Sequence, residues 1–193
     1  MSGVNAIKLP ACLLRAAAIF RAKDDARYYL NGIHINPAGF IESADGPTAF
    51  RGECEKATLL SEPLILDING NIPKVADTTE LVPISEDEGF LWFFKANGKL
   101  VQSNGFPIRL WTRIVTEGRF PDLGALIDKH EPAPAKRVQF NTSYLVRLEK
   151  AARAMGSPYS SAIFELAGER GAAAATIRAK GHTAKVLVTT MRP

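Results

Sequence analysis

Arg147, Lys150 and Arg153 recur at three-residue spacing, so on a helix they share one face. Projected at about 100° per residue, Leu145, Leu148, Ala152 and Met155 fall on the other side, with Glu149 near the boundary. Such a helix packs its apolar side on a sheet and offers three cations outward. Arg and Lys so placed can neutralise phosphates without reading bases, which is the chemistry of sequence-independent nucleic-acid binding. An ordinary solvated helix surface has the same spacing. An earlier helical segment places only Arg15 clearly on its polar side.

The catalytic inventory is thin. His34 falls in a strand pattern, His130 in a proline-containing connection and His182 beside a turn glycine. None has a carboxylate or cysteine partner at a recognisable spacing, so surface or core roles are expected. Glu86-Asp87-Glu88 lacks the alternating ligands and glycine turn of a calcium loop and reads as solvated. No phosphate-binding loop, nucleophile elbow or zinc spacing is present, so neither catalysis, metal nor cofactor is expected. Cys12 and Cys54 suggest thiols in a reducing compartment, with a single disulfide as the alternative. Cys12, next to Leu13, reads as a small buried helix residue.

A chain of 193 residues, 46% hydrophobic and 23% charged, is long enough for one large domain or two small ones. No apolar run approaches the roughly 18 residues of a membrane span, and the opening residues lack a signal-peptide pattern. A soluble cytoplasmic protein is expected. The net charge of +4 hides a division. Residues 1–127 carry 13 Lys/Arg against 15 Asp/Glu, and residues 128–193 carry 11 against 5. Residues 42–88 alone hold 11 acids and 3 bases. That asymmetry suits a protein that meets a polyanion on one side.

Several elements must position these residues. Pro10 to Lys23 reads as a helix with Leu13, Leu14, Ala17 and Phe20 on one face. Extended runs follow at Tyr28–Leu30, Ile33–Ile35 and Phe40–Ile41, punctuated by Asn31-Gly32, Asn36-Pro37 and Asp45-Gly46. Leu64–Ile68 is strand-like, and Asn71 is placed to cap a short helix carrying Ile72, Val75 and Ala76. Phe90–Phe94 and Phe106–Val115 read as strands, with an Asn97-Gly98 turn between them. Residues 128–136, with two prolines, read as a linker. Beyond it come a short strand at Val138–Phe140, an Asn141 cap and a helix from Thr142 to Met155 stopped by Gly156. Strands at Ser161–Leu166, Ala172–Arg178 and Lys185–Thr189 close the chain. The pattern is an α+β fold in which a strand-helix-strands unit repeats about three times. It divides into a two-unit domain over 1–127, the linker 128–136 and a half-domain over 137–193.

Arg27-Tyr28-Tyr29-Leu30-Asn31-Gly32 resembles the RYYLNG signature in the middle domain of the bacterial DNA polymerase III β sliding clamp. Further resemblances follow in the family's order. Ala44-Asp45-Gly46 falls where the family has an ATDGHRL-type run, and Glu117-Gly118-Arg119-Phe120-Pro121-Asp122 is similar to its (D/E)GRFPDY motif. Phe140-Asn141-Thr142-Ser143-Tyr144-Leu145 resembles the entry to the last half-domain, and Val188–Pro193 the VVMPMRL-type tail. The resemblance implies a clamp fold with helices on one side of antiparallel sheets, lining the hole of a ring. It implies a non-enzymatic processivity factor that slides on duplex DNA without sequence specificity and tethers a polymerase. On that model Arg15, Arg147, Lys150 and Arg153 face DNA.

The resemblance also places an apolar pocket for partner peptides near Gly46, Pro47, Leu187, Thr189 and Met191. There the chain departs from the family, with Pro47-Thr48-Ala49 in place of His-Arg-Leu and Thr189-Thr190 in place of Met-Pro. A standard clamp-binding peptide is therefore expected to bind poorly. Length is the third departure. Three units per chain would need four chains for a twelve-unit ring, whereas a trimer would require a fourth unit per chain. The alternative function keeps the fold and binds replication or repair proteins without encircling DNA.

Overall fold

The computed structural model describes residues 7–169 and 171–191. The opening residues, Arg170 and the final Arg192 and Pro193 of the tail motif lie outside that set. The first unit runs β1 (Lys8–Pro10), α1 (Ala11–Ala17), β2 (Ile33–Asn36), β3 (Phe40–Ala44) and β4 (Thr48–Glu53). The second runs β5 (Leu64–Ile68), β6 (Thr78–Pro83), β7 (Glu88–Phe94), a small hairpin of β8 (Gln102–Ser103) and β9 (Phe106–Pro107), and β10 (Arg109–Val115). A short α2 (Leu123–Asp128) precedes α3 (Thr142–Met155), β11 (Ile163–Leu166), β12 (Ala173–Ala179) and β13 (His182–Val188).

Eleven strands form one antiparallel sheet in the order β1-β6-β7-β10-β5-β2-β3-β4-β13-β12-β11. Because side chains alternate along a strand, the sheet has two distinct faces. On one face Leu66, Ile33, Ile41, Phe50 and Val186 pack beneath α1 and α3, which lie side by side. On the other, Ile65, Ala44, Ala49 and Leu187 pack against Leu30, Phe120 and Leu123, so α2 covers the face away from α1 and α3. The core beneath α1 and α3 runs from Ile7 to Val188 as one cluster on both sides of 128–136. That segment lies along β11. The Ala133 N–H donates to Leu166 O at 2.7 Å, and His130 Nε2 donates to Glu165 O at 3.0 Å.

Helix α3 has the expected bounds. The Asn141 side chain accepts from the Ser143 N–H, and Gly156 at φ +90 ends the helix with Ser157 N–H bonded to Ala152 O. Its buried stripe is Leu148, Ala151, Ala152 and Met155, while Leu145 is exposed. Elsewhere expectations change. Helix α1 stops at Ala17 rather than Lys23, because the chain tightens to bury Phe20 in a stack on Phe50 at 5.7 Å. Tyr28–Asn31 is a 3₁₀ turn, not a strand. The Asn31 side chain bonds both the Asp25 N–H and the Asp25 carbonyl, which curls the segment. No helix forms at 71–76. Too few residues separate Gly70 from Asp77 to offset helix nucleation, and Arg15 takes the Pro73 and Ala76 carbonyls. Val138–Phe140 forms only the isolated bridge Gln139↔Met191. Strands β4 and β6, and helix α2, had no sequence expectation.

Candidate nucleic-acid interface

The solvent side of α1 and α3 carries three adjoining open depressions of about 600, 820 and 510 Å³. Eight Lys or Arg side chains line them, against three aspartates. Such an excess makes a positive potential that attracts a polyanion. Lys150 and Arg153 are exposed there as expected, with Arg153 also paired to Glu149 one turn earlier.

Arg15 and Arg147 were expected to point outward as free cations; both turn inward. Arg15 Nη1 donates to Pro73 O at 2.7 Å and Ala76 O at 3.0 Å. Burial lowers its pKa from the ordinary guanidinium value, with Cys12 and Asp77 opposing that shift. Arg147 donates through Nε and Nη2 to Ile19 O at 3.0 and 2.6 Å, and through Nη1 to Asp45. The reason is local in each case. The non-helical 71–76 loop leaves the Pro73 and Ala76 carbonyls to Arg15, and the early end of α1 leaves the Ile19 carbonyl to Arg147.

The interface also holds cations that sequence reasoning passed over. Lys74 lies on the loop expected to be helical, Arg21 and Lys23 follow α1, and Lys180 comes from the β12–β13 turn. Gly181 was the sole sequence signal for that turn, and turn signals do not say which helix end a hairpin meets. Cys12, expected to be buried, is half-buried and lines the same depression. Both cysteines are free thiols, and burial raises both thiol pKa values. No group of three metal-ligating side chains occurs among the described residues. Nor is any helix among them long and apolar enough to cross a membrane.

The residues expected to form a partner pocket lie near the end of the β4–β13 pair, with Leu187 on the sheet face away from α1 and α3. Gly46, at φ +97, sits in a turn held by Asp45, which accepts from the Thr48 N–H and hydroxyl. The Thr189 N–H donates to Pro47 O at 3.0 Å, and the Met191 N–H to Gln139 O at 2.8 Å. Leu187 stands opposite Ala49 and packs with Leu30, Phe120 and Leu123. Met191 is 43% exposed. The RYYLNG-like and GRFPD-like segments thus both reach Leu187, just ahead of the tail, which their separation in sequence does not reveal.

Beneath the segment bearing Phe120 lies a buried ionic cluster. Glu42, 1% exposed, accepts from Asn36 Nδ2 at 3.1 Å and lies 2.9 Å from His34 Nδ1. Its other oxygen is 2.9 Å from Arg51 Nε, an ion contact without hydrogen-bond alignment. Phe120 stacks on His34 at 4.6 Å, and the Arg51 guanidinium lies over Phe40 at 3.6 Å.

No protein-family model matches the chain, and no curated protein matches its sequence. Solved structures do match its fold. A DNA polymerase sliding clamp from Pseudomonas aeruginosa, with ligand, is 14% identical with a TM-score of 0.57, over 97% of this chain and 66% of that one. The DNA polymerase III subunit beta of that organism bound to griselimycin is 14% identical at 0.58, over 100% and 67%. The sliding clamp from Caulobacter crescentus is 13% identical at 0.51, over 100% and 68%. The chain therefore spans about two-thirds of the length of the clamps it resembles.

Proposed function

We propose, from the premise that this chain has the sliding-clamp fold, that it is a non-enzymatic scaffold that holds duplex DNA without sequence specificity. The observation that carries the reading is the α1/α3 face, where the depressions gather cations from both helices, a loop and a hairpin. Lys150 and Arg153 are its exposed phosphate contacts, joined by Lys74, Lys23 and Lys180. Arg15 and Arg147 shape the face by tying α1 and α3 to neighbouring carbonyls and contribute charge at longer range.

Assembly into a homo-oligomeric ring, and tethering of a polymerase or another replication protein, complete the proposal. The partner peptide would dock where Leu187 packs against Leu30 and Phe120, beside Pro47, Thr189 and Met191. Thr189 in that place favours a less apolar peptide than a methionine would. A second reading, binding replication proteins without encircling DNA, is favoured by one observation. The outer edge of β11, where a neighbouring chain would extend the sheet, is already bonded by His130 and Ala133.

Retention on DNA separates the two. The protein is loaded on nicked circular and on linear duplexes and washed in high salt, with light scattering to give its mass. The encircling reading expects an oligomer that persists on circles and runs off linear ends. Equal loss from both, or a stable monomer, would sink it and leave the second reading.

A further inference from the structure

Leu81, Leu91, Phe93 and Ile114 point from β6, β7 and β10 into the core beneath α1 and α3. By alternation Glu80, Val82, Phe90, Trp92, Arg109 and Trp111 stand on the other side of those strands. Phe120 and Leu123 cover that side farther along the sheet, around Ala44, Ala49, Ile65 and Leu187. Among the described residues, Val82, Phe90, Trp92 and Trp111 belong to neither packed core. Val82 is 42% and Trp111 37% exposed. Two tryptophans, a phenylalanine and an arginine in one open patch have the composition of an interface centre, not of a solvated sheet.

Strand register sets these residues in two rows. Trp92 stands between Glu80 on β6 and Arg109 on β10, and Phe90 between Val82 and Trp111. The Arg109 guanidinium lies over the Phe90 ring at 4.1 Å and the Trp92 ring at 5.6 Å, which holds it in place before any partner arrives. Among the described residues, no ion pair uses Glu80 or Arg109. Lys8 is opposite Glu80 in register but lies over Phe94 at 5.4 Å.

We propose that this face pairs with the same face of a second copy of the chain, about a two-fold axis running along β7. Such an axis exchanges β6 with β10 and keeps each row level with itself. Glu80 then meets Arg109 of the partner subunit, and Val82 meets Trp111 of the partner subunit, each match occurring twice. Trp92 and Phe90 lie on the axis and stack on their own copies, filling the gap of about 10 Å between packed sheets. Glu88, the next outward residue of β7, has Arg113 beside it in register, and the crossing of about 30° between packed sheets draws it away from its copy. A ligand of uniform charge would meet a like charge on one side of Trp92, whereas a second copy meets an opposite charge on both. The contact is separate from the β11 edge at which a ring would close, and it does not depend on the nucleic-acid reading.

Arg109→Glu and Glu80→Arg test the pairing, since each places like charges across the two-fold. Sedimentation velocity over a concentration series is run on wild type, on each variant and on their equimolar mixture, with melting curves to show that every protein is folded. Wild type should self-associate, each variant at least about tenfold more weakly, and the mixture as tightly as wild type. Mixing restores both charge pairs, and it does not repair a folding defect. Equal association of wild type and both variants overturns the pairing, as do two weakened variants that do not recover when mixed. A wild-type monomer at every concentration also overturns it. If that monomer's tryptophan fluorescence is quenched by oligothymidine, and the quenching is lost in Trp111→Ala, the face belongs to single-stranded bases instead. Retention on circular DNA, which decides the encircling reading, should be the same in Arg109→Glu as in wild type, because this face lies away from α1 and α3.

Discussion

Replacing Arg147 by alanine separates a structural cation from a DNA-contacting one. The side chain donates two bonds to Ile19 O, at 3.0 and 2.6 Å, and pairs with Asp45. Hydrogen bonds from a charged group contribute about 1.5–3 kcal/mol, and the two that share one acceptor are counted here as one. The ion pair joins side chains only 21% and 18% exposed, so desolvation of both charges offsets most of their attraction and it adds about 1 kcal/mol. The loss should total about 3 kcal/mol. A chain of this size loses about 2–4 °C per kcal/mol, so the melting temperature should fall by about 6–12 °C. A cycle with Asp45→Asn should return a coupling of about 1 kcal/mol, since Asp45 keeps its bonds from Thr48. The salt slope of duplex binding should barely change, because a guanidinium already holding a carbonyl and a carboxylate releases few counterions from DNA. An Arg147→Ala protein that melts like wild type while its slope drops by about 0.9 would refute this reasoning and return Arg147 to the phosphate contacts.

Two further outcomes follow from the ion pairs. Glu42→Ala leaves Arg51 without its partner in a site where Glu42 is 1% exposed, so a urea titration should show a loss of about 3–5 kcal/mol. A loss under about 1 kcal/mol would mean that water reaches the cluster. Asp25 has its pKa lowered from 3.8 to about 2, first by the hydrogen bond from the Arg27 side chain and then by the Arg27 N–H. A depressed carboxylate stabilises above its unfolded pKa and loses that contribution as pH falls through the folded one. Asp25→Asn should therefore flatten the acid side of the stability profile between pH 3.8 and about 2 and leave it parallel to wild type above. Parallel profiles throughout would show that Arg27 does not hold Asp25.

What the sequence determined by itself was local. The 3.6-residue period, the Asn141 cap and the Gly156 stop placed α3 at its observed bounds, because those signals act within a turn of the residues that carry them. Apolar runs found β5, β7, β10 and β12 for the same reason. Strands β4 and β6 escaped notice. Thr48–Glu53 and Thr78–Pro83 mix threonine and charge with few apolar residues, and they are strands because β3, β13, β1 and β7 flank them. The interface divides in the same way. Lys150 and Arg153 were readable from helical spacing, but whether a cation stays free depends on what lies across from it. Only the tertiary structure brought the Ile19 carbonyl to Arg147, the Pro73 carbonyl to Arg15 and the end of α3 to Lys180. Orphan carbonyls and like charges act over a few ångströms in space, and residues more than a hundred positions apart meet only once the sheet has closed.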